Sequence, residues 1–146
     1  MNKEADFVLD CSVTMAWCFD DETSDYTEAI LDSLGSKSAL VPVIWPLEVT
    51  NVLLMAVQRK RLSKIKAAGF FDRLNDLPIK LANGKPLSAM MSIFELGHER
   101  KMTSYDASYL DLAMAYNIPI ATMDKHLIKS AKAVQLEHFQ PLRLSK

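Results

Sequence analysis

Glycine is scarce: four in 146 residues, all scattered, so neither GxGxxG nor GxxxxGK[ST] is present and the dinucleotide-binding and P-loop readings fall away. Cysteine is scarcer still. Cys11 and Cys18 are the whole supply, and on a helix they would stand about two turns, or ~10 Å, apart, beyond disulfide reach. Two reduced thiols fit a cytoplasmic protein. The three histidines, His98, His126 and His138, form neither HExxH nor a Cys/His zinc spacing. Charge of one sign is missing too: 17 Lys+Arg against 18 Asp+Glu give a net −1. That excludes a coat of positive charge for wrapping duplex DNA, but not a local nucleic-acid site. No apolar run is long enough to cross a membrane, the longest being residues 39–47 with two prolines among them. The opening MNKEADFVLD carries acids where a secretory signal carries bases and a long apolar core.

Against these absences stand 49% hydrophobic and 24% charged residues, the profile of a globular chain. The length suits one domain, 1–146, able to bury about two-thirds of its unfolded surface without a disulfide or metal. Short apolar runs alternate with helical periodicity. Strands are predicted at 7–9, 39–43, 79–81 and 119–121, with a marginal one at 137–139. Helices are predicted at 12–19, 24–34, 46–60, 64–74, 86–100, 104–116 and 124–134, with Pro46 in a first turn and Ser63 as a cap. Strands separated by helices, with no hairpin signal, imply a three-layer α/β/α fold around a parallel sheet of four or five strands. In open sheets of this kind, function gathers past the carboxyl ends of the strands.

Four acids stand where that rule points. Asp10 follows the first strand and Asp124 the fourth, while Glu48 and Asp106 sit in the first turns of strongly apolar helices. Each has a local explanation: Asp10 and Asp124 as helix caps, Thr103-x-x-Asp106 as a capping box, Glu48 as a charge favoured by the helix dipole. Together they are harder to explain locally. Two unit charges about 4 Å apart repel by roughly 4 kcal/mol at an effective dielectric near 20. Four converging carboxylates therefore need protons or a divalent cation among them. Oxygen-only ligation suits Mg2+ or Mn2+, which in open carboxylate sites serve phosphate chemistry.

The stretches VLDCSVTMAWCFDDE, WPLEVTNVLL and LGHERKMTSYDASYLDLAMAYNIPIATMDKHL, in that order, resemble the PIN-domain ribonucleases, and within them the VapC-like toxins of type II toxin–antitoxin systems. SYDASYLDLA followed by ATMDKHL is the most specific piece; VLDCS and the E-x-x-N of Glu48 to Asn51 add to it. The resemblance implies a catalytic set of Asp10, Glu48, Asp106 and Asp124, supported by Ser12, Asn51 and Thr122. Asp10, Asp106 and Asp124 would hold the Mg2+ or Mn2+, with Glu48 a further ligand or the base that orients the attacking water. The implied reaction is hydrolysis of an RNA phosphodiester to a 5′-phosphate and a 3′-hydroxyl. Residues 63–101 carry no matching motif, and the glycine common before the last strand is absent from KSAKAVQLEHF.

An acidic site needs basic flanks to hold a polyanion. QRKRLSKIK offers Arg59 and Arg61; Lys125 and Lys129 begin a stripe on the last helix beside Asp124. Both tracts also read as solvated helix surface. The resemblance further implies a cognate antitoxin and a homodimer, and MAWCF and YTEAILDSL permit a groove for an amphipathic partner helix. Two other readings remain: a catalytically silent PIN-like partner-binding or co-regulator module, and a haloacid-dehalogenase-like phosphatase. The second is suggested by Asp10-Cys-Ser-Val-Thr14, where Ser12 replaces the second acid and no GDxxxD follows.

Overall fold

A computed structural model describes residues 4–141. Four parallel strands form its sheet: β1 (Phe7–Leu9), β2 (Ala39–Val41), β3 (Ile79–Leu81) and β4 (Ile120–Ala121). Their order is β3-β2-β1-β4. Helices α1 (Cys11–Ala16), α2 (Asp25–Ser33), α3 (Trp45–Gln58), α4 (Lys64–Asn75), α5 (Met90–Arg100), α6 (Ser104–Tyr116) and α7 (Lys125–Ala133) flank it. The result is the three-layer α/β/α arrangement expected from alternating strands and helices.

β1 is buried throughout, as a central parallel strand covered on both faces must be. The chain builds outward from β1 through β2 to β3, then returns to place β4 on the other flank of β1. Strand order therefore reverses at β1, and a crevice opens beyond the carboxyl ends of β1 and β4. Val8 pairs with Ile120 and Leu9 with Ala121. The Asp10 amide extends the ladder by donating to the Ala121 carbonyl at 3.0 Å. That register sets Asp10 opposite Thr122.

Several element ends follow from local chemistry. The Ser63 hydroxyl accepts from the Lys66 amide and starts α4. Thr103 accepts from the Asp106 amide and starts α6. Lys101 and Asn117 end α5 and α6 in the left-handed conformation, at φ 56° and 51°. Gly97 sits where packing is tight: a Cβ there would stand 3.1 Å from the Met102 carbonyl oxygen. The turn after α5 can therefore fold back tightly on the helix.

Several bounds differ from expectation, β2 ending at Val41 rather than at residue 43 among them. The first helix ends at Ala16, and Asp20–Glu22 forms a 3-10 turn after it. The helix expected over 86–100 divides into a 3-10 turn, Leu87–Ala89, and α5. The marginal strand at 137–139 contributes one parallel bridge, His138 to Ile120. No helix of the described residues is long and apolar enough to cross a membrane. Cys11 and Cys18 are both free thiols.

Candidate active site

Asp10 occupies the N-cap position of α1 without capping it: its side chain bonds none of the helix's orphan amides in the way a cap does. Its Oδ2 instead accepts from the hydroxyls of Ser12 and Thr122, each at 2.7 Å. Those hydroxyls are themselves held, since Ser12 Oγ accepts from the Met123 amide and Thr122 Oγ1 from the Asp124 amide. The ends of β1 and β4 are thus joined by a small polar network around one carboxylate. Asp10 is only 7% exposed. Burial pushes its carboxyl above the usual range; the bonds from Ser12 and Thr122 pull it back, the Asp124 charge raises it further, and the Cys11 amide lowers it.

Asp124 does cap its helix, its Oδ1 accepting from the His126 and Leu127 amides. Its place beyond β4, set by the Thr122 contact, keeps its charge within reach of Asp10 and Asp106. Glu48, in the first turn of α3, accepts a 2.6 Å bond from the Tyr109 hydroxyl of α6. Tyr109 is fully buried, and a phenol there needs an acceptor. Burial raises the Glu48 carboxyl, Tyr109 lowers it, and Asp10 and Asp106 raise it again. The Asp106 carboxylate accepts no hydrogen bond from the described residues. It too is raised, by burial first and then by Asp10 and Asp124, with His126 offsetting in part.

Asp10 and Asp106 therefore feel each other's charge and share charge interactions with both Glu48 and Asp124, and none of the four forms an ion pair among the described residues. Burial and the adjacent acids Glu48, Asp10 and Glu22 also push the Cys11 thiol up to about 12, which keeps it protonated and removes it as a nucleophile. Among the described residues no three His, Cys, Asp or Glu side chains form a group that could hold a metal ion on their own. One oxygen of each of three acids is already engaged: Asp10 Oδ2 by two hydroxyls, Asp124 Oδ1 by its own helix and Glu48 Oε1 by Tyr109. The donor set nevertheless fits a hard divalent ion. It is all oxygen, it lacks a paired lysine or arginine, and its charges repel one another in a partly desolvated place.

The other expected residues lie as follows. Ser12 and Thr122 bond Asp10 directly. Asn51 is exposed one turn beyond Glu48 and bonds none of the acids. Arg59, Lys125 and Lys129 are exposed and form no ion pair among the described residues. Arg61 is already engaged: its guanidinium pairs with Asp21 at 2.8 Å and Glu22 at 3.0 Å and lies 3.9 Å over the Phe19 ring. Sequence reasoning missed Tyr109 and His126. Tyr109 lies three residues past Asp106 and so shares its helix face, a spacing that could have suggested it. Of MAWCF, Met15, Ala16 and Phe19 are buried in the core, while Trp17 and Cys18 are half-buried. An exposed apolar trough lies elsewhere, between Pro42, Val43, Leu87, Met90, Phe94 and Leu112.

Residues 7–133 match the family described as PIN domain. No curated protein matches. Among solved structures, the chain is similar to PAE2754 from Pyrobaculum aerophilum, with a TM-score of 0.65 and 18% identity over 86% of this chain and 78% of that one.

Proposed function

From the premise that this chain belongs to the PIN-domain family, whose members are generally metal-dependent nucleases, we propose that it is a metal-dependent endoribonuclease and the toxin of a toxin–antitoxin pair. One observation carries the reading: a buried carboxylate, Asp10, held at the strand-order reversal by two hydroxyls, stands within charge range of Asp124, Glu48 and Asp106 and forms no ion pair among the described residues. Asp10, Asp106 and Asp124 would hold Mg2+ or Mn2+. When bound, the ion would lower the pKa of water and neutralise charge on the phosphate oxygens.

The chain's own groups supply the rest. Ser12 and Thr122 fix the Asp10 carboxylate, so one oxygen is committed to the protein. The Asp124 cap does the same for Asp124. Tyr109 holds Glu48 Oε1, leaving Oε2 as the oxygen that orients the attacking water and takes its proton. In-line attack leaves a 5′-phosphate and a 3′-hydroxyl. The remaining parts of the reading are a single domain over 1–146, a cytoplasmic setting, a homodimer and a protein antitoxin. The exposed trough at Val43, Leu87, Met90 and Phe94 supports a protein partner.

The test is cleavage of single-stranded RNA by the purified chain with Mn2+. Activity is expected to vanish in EDTA and in Asp10→Asn, with 5′-phosphate ends on the products. Activity indifferent to EDTA would refute the assignment. The silent-module reading draws on the lack of a ready-made three-ligand group among the described residues. It predicts no cleavage under any metal, and normal growth on expression without an antitoxin. The family match sets aside the haloacid-dehalogenase alternative.

A further inference from the structure

We propose that His138 is a positioning residue for the acidic centre: the N–H that its Nε2 donates to the Thr122 carbonyl holds the end of β4 where the Thr122 hydroxyl meets Asp10. The proposal rests on the nuclease reading above and names what orients its carboxylates from behind. β4 is only Ile120–Ala121, so Thr122 and Asp124 lie past its end. On the β1 side the ladder stops at the Asp10 amide, bonded to the Ala121 carbonyl. On the other side it stops at the Phe139 amide, which donates to the Ile120 carbonyl at 2.8 Å. Among the described residues no backbone amide bonds the Thr122 carbonyl. A side chain takes over there.

His138 Nε2 lies 2.9 Å from that carbonyl, which can only accept, so Nε2 carries a hydrogen. The neutral ring in this tautomer and the fully protonated ring both donate from Nε2, so the contact needs no particular charge. Nδ1 lies 3.1 Å from the Gln140 amide nitrogen. The single bridge between His138 and Ile120 sets the ring beside β4. Tyr26 of α2 braces it. The two ring centroids are 4.9 Å apart, and the Tyr26 hydroxyl donates to the Phe139 carbonyl at 2.8 Å. Phe139 in turn stacks on Phe7 of β1 with centroids 4.3 Å apart, which anchors the segment to the core. From His138 the contacts run through the Thr122 main chain to its hydroxyl. That hydroxyl donates to Asp10 at 2.7 Å and accepts from the Asp124 amide at 3.0 Å. Two acids are thus oriented through one residue whose carbonyl His138 fixes. Small octahedral ions tolerate little displacement of a ligand oxygen, so outer contacts of this kind set metal affinity and rate.

Three substitutions test this. His138→Phe keeps a ring beside Tyr26 and removes the donor. His138→Met removes the donor at the length of a glutamine, and His138→Gln supplies an amide donor near the place of Nε2. In steady-state RNA cleavage at saturating Mn2+, His138→Phe and His138→Met are expected to lower kcat about tenfold and to leave KM within about twofold. In Mn2+ titrations of the metal-free chain, followed by the rise in Tm, both need about tenfold more Mn2+ for half the effect. His138→Gln stays within about threefold of wild type in both measurements. Either apolar variant suffices for the comparison should the other not fold. Wild-type kcat and Mn2+ midpoint in the apolar variants, whatever their Tm, overturn the proposal and leave the nuclease reading intact. So does a loss in His138→Gln equal to theirs, because packing rather than the donor would then be at work. A wild type that neither cleaves RNA nor responds to Mn2+ overturns the nuclease reading and the positioning role with it.

Discussion

Asp10 shows how residue-scale chemistry decides between a cap and a site. Its position at the start of α1 suggested a cap, yet its carboxylate turns away to two hydroxyls from different elements. The sequence could place Ser12 beside it by spacing. The contact with Thr122, 112 residues away, is set by the β1–β4 register and is invisible in one dimension. Asp124 was legible both ways, since it caps α7 and also lies beyond β4. Glu48 was legible as an acid in an apolar helix, and spacing from Asp106 could suggest Tyr109, but their bond was not legible, because nothing local says that α3 and α6 meet. Tyr109→Phe tests that meeting. Removing one bond to a half-buried carboxylate costs about 1–3 kcal/mol, so a fall in kcat of about 10- to 100-fold is expected. In a double-mutant cycle with Glu48→Gln the two losses should fail to add. Additive losses would mean that Tyr109 acts elsewhere.

At the scale of elements, caps and proline made most boundaries readable. α4 begins after Ser63, α6 after Thr103 and α7 after Asp124, as the capping rules anticipate. The region after α1 was misread because its order comes from far along the chain. Arg61 reaches across 40 residues to Asp21 and stacks over Phe19, bracing the 3-10 turn Asp20–Glu22. Exposed ion pairs contribute modestly. Arg61→Gln should therefore lower Tm slightly in a thermal melt and leave KM for RNA within about twofold, since the guanidinium's charge is already balanced. A large rise in KM would show that Arg61 leaves its acids to bind substrate.

For the whole molecule, parallel pairing and three layers followed from the alternation of strands and helices, whereas the order β3-β2-β1-β4 did not. That order creates the crevice and brings the acids' charges together. The cost is electrostatic and sets the pH response of the metal-free protein. Burial and like charge hold Asp10, Glu48 and Asp106 above their ordinary values, so the folded chain binds protons more tightly than the unfolded one. Their contribution to stability is fully present below the ordinary carboxylate range near pH 4. It is lost as pH rises through their raised folded values. Without metal, Asp106→Asn should narrow the difference in Tm between mildly acidic and neutral buffer. An unchanged difference would mean that Asp106 is not strained by its surroundings.

The same electrostatics make metal binding a direct readout of the central claim. The decisive measurement is the thermal melt of the metal-free chain at neutral pH, with Mn2+ titrated into wild type and Asp10→Asn. A ligand that binds only the folded state raises stability by RT ln(1 + [L]/Kd), about 2.7 kcal/mol at one hundred times Kd. The account predicts a saturable rise in Tm for wild type. It also predicts that Asp10→Asn starts higher without metal and responds weakly. A wild type whose Tm ignores Mn2+, or an Asp10→Asn variant that rises equally, would contradict it.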